Sequence, residues 1–561
     1  MRRFASILTT LAGALAFVAA PAGAALPQAE LVKDVNAGPS SSSFDPITPL
    51  GKKLFGFGTT QAAGKEPVLL EPGGKQVVGD IRPGFDSSGG NSPVVLNGEV
   101  YFEANDGVHG YELWRSDGES FEMVLDINPG PDSSEPSGLT VLGDHVYFSA
   151  QDPVRGRELF RAGPGGVELV KDIVPGLTGS YPYELTAMGD HIYFQAYTLT
   201  DGTELWRTDG TNTTQVADIY PGATSSYPGY LVPVGDTLYF AATTPGEGYE
   251  LHKTTGVGET LVGDIYPGPN SSYPSYLAPF GDSVVFTAWE PVGGSEPWIS
   301  DGGPPQRLTD LVPGPDGSDP TVYAAVRNRL YFSAHTPESG RELWVHDGSG
   351  TSQVGDLVPG EEGSNPWYLT PFNGKLFFAA ATYEHGFEPW IVDGEKPRLV
   401  RDVLPGPSSS EPYDPVVVGN NLYFTADDGI HGYEPWRLSP DNEIRVRLIG
   451  KRAGVSRKGF AGLKLACPEN EANGPCRVKV TVKTRRKVKA GKKRRKLTLA
   501  TRSLSIKAGT TGMARLEFSK AEIALLRRSA AARKVTVIVV ASDKAGNRRT
   551  TRTPFLFRRP A

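Results

Sequence analysis

An Asp recurs nine times at a fixed spacing of 46 residues (Asp34, Asp80, Asp126, Asp172, Asp218, Asp264, Asp310, Asp356 and Asp402), usually as D-[IVL]-x-P-G, with no insertion or deletion between copies. A second register runs in step with it, a Glu in G-x-E-[LP]-W at Glu66, Glu112, Glu158, Glu204, Glu250, Glu296, Glu342, Glu388 and Glu434. A period of this length built from short strands marks a propeller or a solenoid. One unit cannot stand by itself. Burying four large apolar side chains returns roughly 6–12 kcal/mol, whereas ordering about 46 backbones costs roughly 1 kcal/mol or more each. Neighbouring copies must therefore cover both faces of every unit.

Each unit reads as four strands. In the third, Leu139–Leu142 precedes a Gly143-Asp144 turn, His145–Ala150 forms the second strand, Glu158–Arg161 the third and Val167–Val170 the fourth. The second strand alternates: Val100, Phe102 and Ala104, then Val146, Phe148 and Ala150, share one face, with Tyr101 and Tyr147 on the other. That period of two, with its β-branched and aromatic bias, belongs to a strand. Asp-Gly pairs between third and fourth strands (Asp117-Gly118, Asp209-Gly210, Asp301-Gly302, Asp347-Gly348, Asp393-Gly394) suit two-residue hairpins. The chain opens with a spare fourth strand, Glu30–Val35, and its last unit lacks one. Pairing Leu31–Val35 beside Glu434-Pro435-Trp436 completes nine blades as a closed ring, with an open solenoid as the alternative.

Fixed repetition argues that the Glu and Asp registers are structural. Glu112, Glu204 and Glu342 are expected to accept backbone N–H bonds from a neighbouring loop, and Asp126, Asp218 and Asp264 to bond amides just ahead in a turn. A Ser eight residues after each Asp (Ser88, Ser134 and onward to Ser410) suits the same stitched loop. The Trp closing the motif gives way to Val68, Phe160 and His252, an exchange that indicates packing. No cofactor is implied; calcium is the one candidate, and no D-x-[DN]-x-[DN]-G loop supports it. No G-x-S-x-G, H-E-x-x-H or P-loop occurs, so no catalytic residue is assigned. Tyr181-Pro182, Tyr227-Pro228, Tyr273-Pro274 and Trp367 either form an aromatic glycan platform at one rim or pack on the next blade.

Glu112-Leu113-Trp114-Arg115-Ser116-Asp117-Gly118 and Glu204-Leu205-Trp206-Arg207-Thr208-Asp209-Gly210-Thr211 resemble the ELWxxDGT repeat family of secreted bacterial proteins, sometimes labelled hyalin-like. The resemblance spans residues 34 to about 447, with Glu250-Leu251-His252 and Glu66-Pro67-Val68 departing from the motif. It implies export and a propeller-like repeat, and brings no activity.

The ends differ from the repeat. Arg2 and Arg3, the apolar run Ile7–Ala20 and Ala22-Gly23-Ala24 read as a secretory signal over residues 1–24, leaving an exported protein with no transmembrane segment. The propeller then occupies 25–447 and a basic domain 448–561. From Arg445 onward 33 Lys and Arg face 5 Asp and Glu, a charge of +28, against −34 for the rest of the chain. Alternating runs such as Val478–Val482 and Val535–Val540 predict strands there, with a helix over Lys520–Arg533. The stretch Ala541-Ser542-Asp543-Lys544-Ala545-Gly546-Asn547 is similar to the last strands of immunoglobulin-like sandwiches at the C-termini of secreted actinobacterial-type proteins. Cys467 and Cys476 flank a turn-rich loop and are expected to form a disulfide, since two thiolates without a nearby His fall short of a zinc site.

Ten basic residues crowd into one stretch read as a loop: Lys483, Arg485, Arg486, Lys487, Lys489, Lys492, Lys493, Arg494, Arg495 and Lys496. Aromatic residues are nearly absent beside them, which leaves base stacking unsupported and argues against nucleic acid as the partner. The stretch is either a solvated loop or a clamp for a polyanion, whether an envelope polymer or the acidic propeller itself. The functional expectation is a monomeric, exported, non-enzymatic binding or scaffold propeller whose partner is a glycan, wall polymer or protein. The alternative is a glycan-cleaving enzyme with a central-channel site, which would require unlike groups to converge where the repeat is broken.

Overall fold

The computed structural model describes residues 29–71, 75–91, 93–394, 396–439, 446–467, 476–490, 493–507, 510–542 and 548–560. The signal-like segment, Lys492 and Asp543–Asn547 lie outside them. The chain divides into two compact units, Gln28–Leu438 and a second that takes the chain from Ser439. That division comes earlier than 447, because Arg447–Ile449 pairs with Phe460–Ala466 in a sheet of the second unit.

Nine four-stranded antiparallel sheets make up the first unit. We number these blades by their first strands: Asp45–Leu50 in blade 1, Val94–Leu96 in blade 2, Ser137–Leu142 in blade 3, Tyr183–Met188 in blade 4, Gly229–Val234 in blade 5, Ser275–Phe280 in blade 6, Thr321–Val326 in blade 7, Trp367–Phe372 in blade 8 and Tyr413–Val418 in blade 9. First strands touch in chain order, and that of blade 9 touches that of blade 1. Blade 9 takes its fourth strand from the start of the chain: Ala29–Leu31 pairs with Tyr433–Leu438, Leu31 opposite Trp436 and Ala29 opposite Leu438. The pairing ends sooner than expected. Val32 gives the last ladder bond, to the Pro435 carbonyl, and Val35 has left the strand to donate its N–H to Glu434.

The alternating second strand explains how blades stack. Val146, Phe148 and Ala150 of blade 3 bury against Tyr101 and Leu113 of blade 2. Ile192, Phe194 and Ala196 of blade 4 meet Tyr147 and Leu159 in the same way. Between blades 9 and 1, Val416, Val418 and Tyr423 pack on Phe44, Leu54 and Val68. The Trp register packs too, with Trp114, Trp206, Trp298, Trp390 and Trp436 all buried. His252 takes this place in blade 5, fully buried, stacked on Phe240 and bonded through Nδ1 to Glu259 at 2.9 Å.

The Asp-Gly turns differ from the expected two-residue form. Ser116 pairs with Phe121 and Thr208 with Thr213, so four residues lie between the strands. Only the Gly of each pair has positive φ (Gly118 +89°, Gly210 +88°). The Asp instead accepts two amides ahead of it, Asp209 Oδ1 from Thr211 and Asn212, an Asx turn that leaves its own backbone unstrained.

The second unit is a β-sandwich. A three-stranded sheet (Arg447–Ile449, Phe460–Ala466, Thr511–Glu517) faces a five-stranded one (Arg452–Ala453, Arg548–Phe557, Lys534–Ser542, Cys476–Thr484, Thr498–Ile506). Leu463, Leu465 and Leu516 of the first share one core with Val480, Val482, Val537 and Val539 of the second. Cys467 and Cys476 are bonded and buried in it. The expected helix is split: Lys520–Arg528 starts at a Ser519–Glu522 capping box, and Ser529 ends it and caps Ala530–Arg533.

Candidate binding surface

The repeated carboxylates are removed from solvent. Glu112, Glu204 and Glu342, like their six counterparts, are fully buried. Glu112 accepts N–H bonds from Ile127 at 2.9 Å and Ser134 at 2.9 Å, and the Ser134 hydroxyl at 2.6 Å. Glu204 is held likewise by Ile219 and Ser226, and Glu342 by Val358 and Ser364. The recurring Ser is therefore the partner of the recurring Glu, a pairing that sequence spacing alone does not display. In blade 9 the same bonds join the two ends of the first unit, for Glu434 takes Val35 N–H, Ser42 N–H and the Ser42 hydroxyl. Burial pushes each of these carboxyls upward against its hydrogen bonds, to about 7 for Glu204, Glu250 and Glu388. Oδ2 of Asp126, Asp218 and Asp264 accepts the amide of Gly130, Gly222 and Gly268. Among the described residues, no group of three or more His, Cys, Asp or Glu side chains is placed to hold a metal ion.

What faces solvent is the lead-in to each first strand. Two residues there take left-handed backbone in most blades. The first position carries Ser43, Glu135, Tyr181, Tyr227, Tyr273, Asp319, Asn365 and Glu411 at φ between 43° and 52°. The second carries Glu184, Tyr230, Tyr276, Val322, Tyr368 and Asp414 at φ 49–58°. This conformation is unfavourable for bulky side chains and collects at functional sites. A register shift follows each time, as between Tyr183 and Thr186 or Gly229 and Val232, and such bulges re-aim side chains. The consequence is exposure. Tyr181, Tyr183, Tyr227, Tyr230, Tyr273, Tyr276, Trp367 and Tyr368 are all 41% exposed or more, so these rings are not buried against the next blade.

The aromatic set is uneven around the blades. Tyr276, Tyr323, Trp367 and Tyr368 line a cavity of about 540 Å³ across blades 6 to 9. Acidic groups hold blades 9 and 1 instead: Asp414 accepts Ile47 N–H at 2.9 Å, and Tyr413 donates to Asp45 at 3.2 Å. Burial raises the Asp414 carboxyl. A second cavity, over blades 2 to 4, is lined by Glu103, Ser149, Arg157 and Tyr183, residues that sequence reading left out. They stand far apart in sequence and meet because successive blades pack side by side. A column-by-column comparison of the repeat would have found Glu103, since the same column otherwise holds Phe57, Ser149, Gln195, Ala241, Thr287, Ser333, Ala379 and Thr425.

The basic stretch of the second unit is structured. Val488–Ala490 and Lys493–Arg495 form a hairpin, Val488 opposite Arg495 and Lys489 opposite Arg494. Val488 is buried, while Lys483, Arg485, Arg486, Lys487, Lys489, Arg494, Arg495 and Lys496 are exposed.

No family model and no curated protein matches the chain. Among solved structures it is similar to a prolyl endopeptidase (14% identity over 69% of this chain, TM-score 0.34), of whose length the match covers only 54%. It is also similar to Sqt1 of Saccharomyces cerevisiae (12% identity, 63% of this chain and 95% of that one, TM-score 0.33). A third likeness is the SapL1 lectin, solved with alpha methyl fucoside (15% identity, 55% of this chain and 93% of that one, TM-score 0.24). At these scores none bears on function, which rests on the residues themselves. No helix among the described residues is long and apolar enough to cross a membrane.

Proposed function

We propose that the protein is an exported binding module: its blades close into a ring, an aromatic rim takes a glycan, and the basic sandwich tethers it to an anionic polymer of the cell envelope. The observation carrying this is the run of tyrosines held at left-handed backbone and left open to solvent. Their flat apolar faces and phenolic hydroxyls suit the two sides of a sugar ring. Closure is supported by the strand order of blade 9 and by the bonds of Glu434 to Val35 and Ser42. The tether is supported by the exposed cations of the 483–496 stretch.

Retention on insoluble polysaccharides tests the rim. Replacing Tyr276, Trp367 and Tyr368 by Ser, Thr and Val, residue types found in these columns of other blades, should reduce retention at least tenfold without unfolding the protein. Unchanged retention would remove the rim from the account. The alternative reading, a glycan-cleaving enzyme, draws on Glu103, whose carboxyl is pushed up to about 7 by burial and by Glu135. New reducing ends appearing on the polymer, and lost with Glu103→Thr, would favour it.

A further inference from the structure

Nine copies of one unit present the same groups nine times, and a departure from that sameness needs a cause. One such departure lies where blades 2, 3 and 4 meet. Glu103 stands in a column otherwise free of charge. Facing the same cavity of about 760 Å³ are Ser149, Arg157, Glu135, Tyr111 and Tyr183. The Arg157 side chain is only 16% exposed and is fixed by Glu135, Nη1 donating to its carbonyl at 2.9 Å and Nη2 to its carboxylate at 2.8 Å. Ser149 is 1% exposed, and its hydroxyl has no hydrogen-bond partner. A buried hydroxyl left unpaired costs about 1–3 kcal/mol, so a ligand that pairs it gains that much.

The junction of blades 6 and 7 is an internal control. Ser333, Arg341 and Asp319 occupy the columns of Ser149, Arg157 and Glu135, and the Ser333 hydroxyl is buried without a hydrogen-bond partner just as that of Ser149 is, so the two junctions differ at the Glu103 column and not at the serine. There the column of Glu103 holds Thr287, whose hydroxyl is taken by the Pro320 carbonyl at 2.6 Å and by Tyr323 at 2.9 Å. In the place of Tyr323, blade 3 has Leu139, which offers no hydroxyl.

We propose that the cavity over blades 2 to 4 is a binding site for a neutral oligosaccharide, with one or two pyranose rings held among Glu103, Ser149, Arg157 and Tyr183. Charge decides the class. Among the described lining residues Arg157 is the one cation, and it is paired with Glu135, which leaves little to attract an anionic sugar. Glu103 is raised by burial and by Glu135, against Arg157, and so meets hydroxyl groups as donor or acceptor near neutral pH. Tyr183, 63% exposed at the edge, offers a ring face for the apolar side of a pyranose. The volume falls in the range of small-ligand sites, roughly 300–1,000 Å³. The site shares Tyr181 and Tyr183 with the exposed aromatic set but includes none of Tyr276, Trp367 and Tyr368, so it can be tested apart from the rim of blades 6 to 8.

Titration calorimetry of the full chain with cello-, chito-, xylo-, manno- and malto-tetraose tests this. At least one should bind, and Glu103→Thr, which installs the residue of blades 6 and 9, should weaken it tenfold or more. Ser149→Ala should weaken it less, and Tyr183→Ser by an amount common to all sugars that bind. The rim triple variant should leave the titration unchanged while lowering polymer retention. If none of the five binds, or if Glu103→Thr binds as the parent does, the site proposal is wrong. Loss of polymer retention in the rim variant alone would still stand for the rim.

Discussion

At the scale of single residues, the repeat is held by a carboxylate and a hydroxyl in each blade. Removing the hydroxyl alone, as in Ser226→Ala, leaves Glu204 short of one donor and should cost about 1–3 kcal/mol in chemical denaturation. The pH dependence follows from the direction of the shift. A carboxyl whose pKa is raised by folding adds stability that is complete below its unfolded value and is lost as pH climbs through its folded value. For Glu204, raised to about 7, that window runs from roughly pH 4.5 to above 7. The midpoint of urea unfolding should therefore fall across this interval, and Glu204→Gln should flatten the fall by the share of one site. An unchanged slope would mean the carboxyl is ionised throughout. Sequence spacing shows that these residues are structural, because nothing catalytic recurs so evenly. It does not show that Ser226 caps Glu204, since that bond needs the loop to turn back over the third strand.

Strands and their lead-ins carry the second set of consequences. Tyr230 and Tyr276 sit at φ 55° and 53°, where a β-carbon is unfavourable by about 1–2 kcal/mol. Blade 3 carries Gly138 in this column at φ 66°. Tyr230→Gly with Tyr276→Gly should thus raise the melting temperature while lowering glycan retention, a trade expected where strain serves binding. If stability drops instead, those side chains contribute packing that outweighs the backbone cost. The borrowed fourth strand of blade 9 gives another test. Deleting residues 25–36 strips Glu434 of Val35 and opens the ladder to Trp436, and the lost donor alone should cost about 1–3 kcal/mol. Calorimetry should show the propeller melting earlier. The strand assignments were readable from alternation alone. The bulges and left-handed residues were not, because a Tyr there carries no local mark of positive φ.

For the whole molecule, the dominant fact is the division of charge. A unit carrying most of the +28 should bind polyanions tightly at low salt, with affinity falling as the Debye length shrinks below about 8 Å. Replacing the lysines and arginines of 483–496 by Ser should abolish most retention on anionic wall polymer while leaving the sandwich melting transition in place. The isolated sandwich, whose disulfide and core are its own, should bind more tightly than the full chain if the −34 of the remaining sequence competes for its cations. Affinity independent of salt would refute the tether. The two-part organisation and the basic stretch were legible from composition. The hairpin within that stretch was not, since its only apolar marker is Val488.

Blade 9 also decides how the propeller responds to force. The points where the chain enters and leaves the first unit lie side by side, with Ala29 opposite Leu438 in an antiparallel pair. Tension applied between Ala29 and Leu438 would peel this pair from one end, a bond at a time, the weakest way to load a sheet. Tension entering through Leu438 alone would leave Ala29–Leu31 slack. A molecule held by its C-terminal side can therefore be dragged along a surface without straining the joint that completes its last blade, whereas one held at both ends would come undone there first.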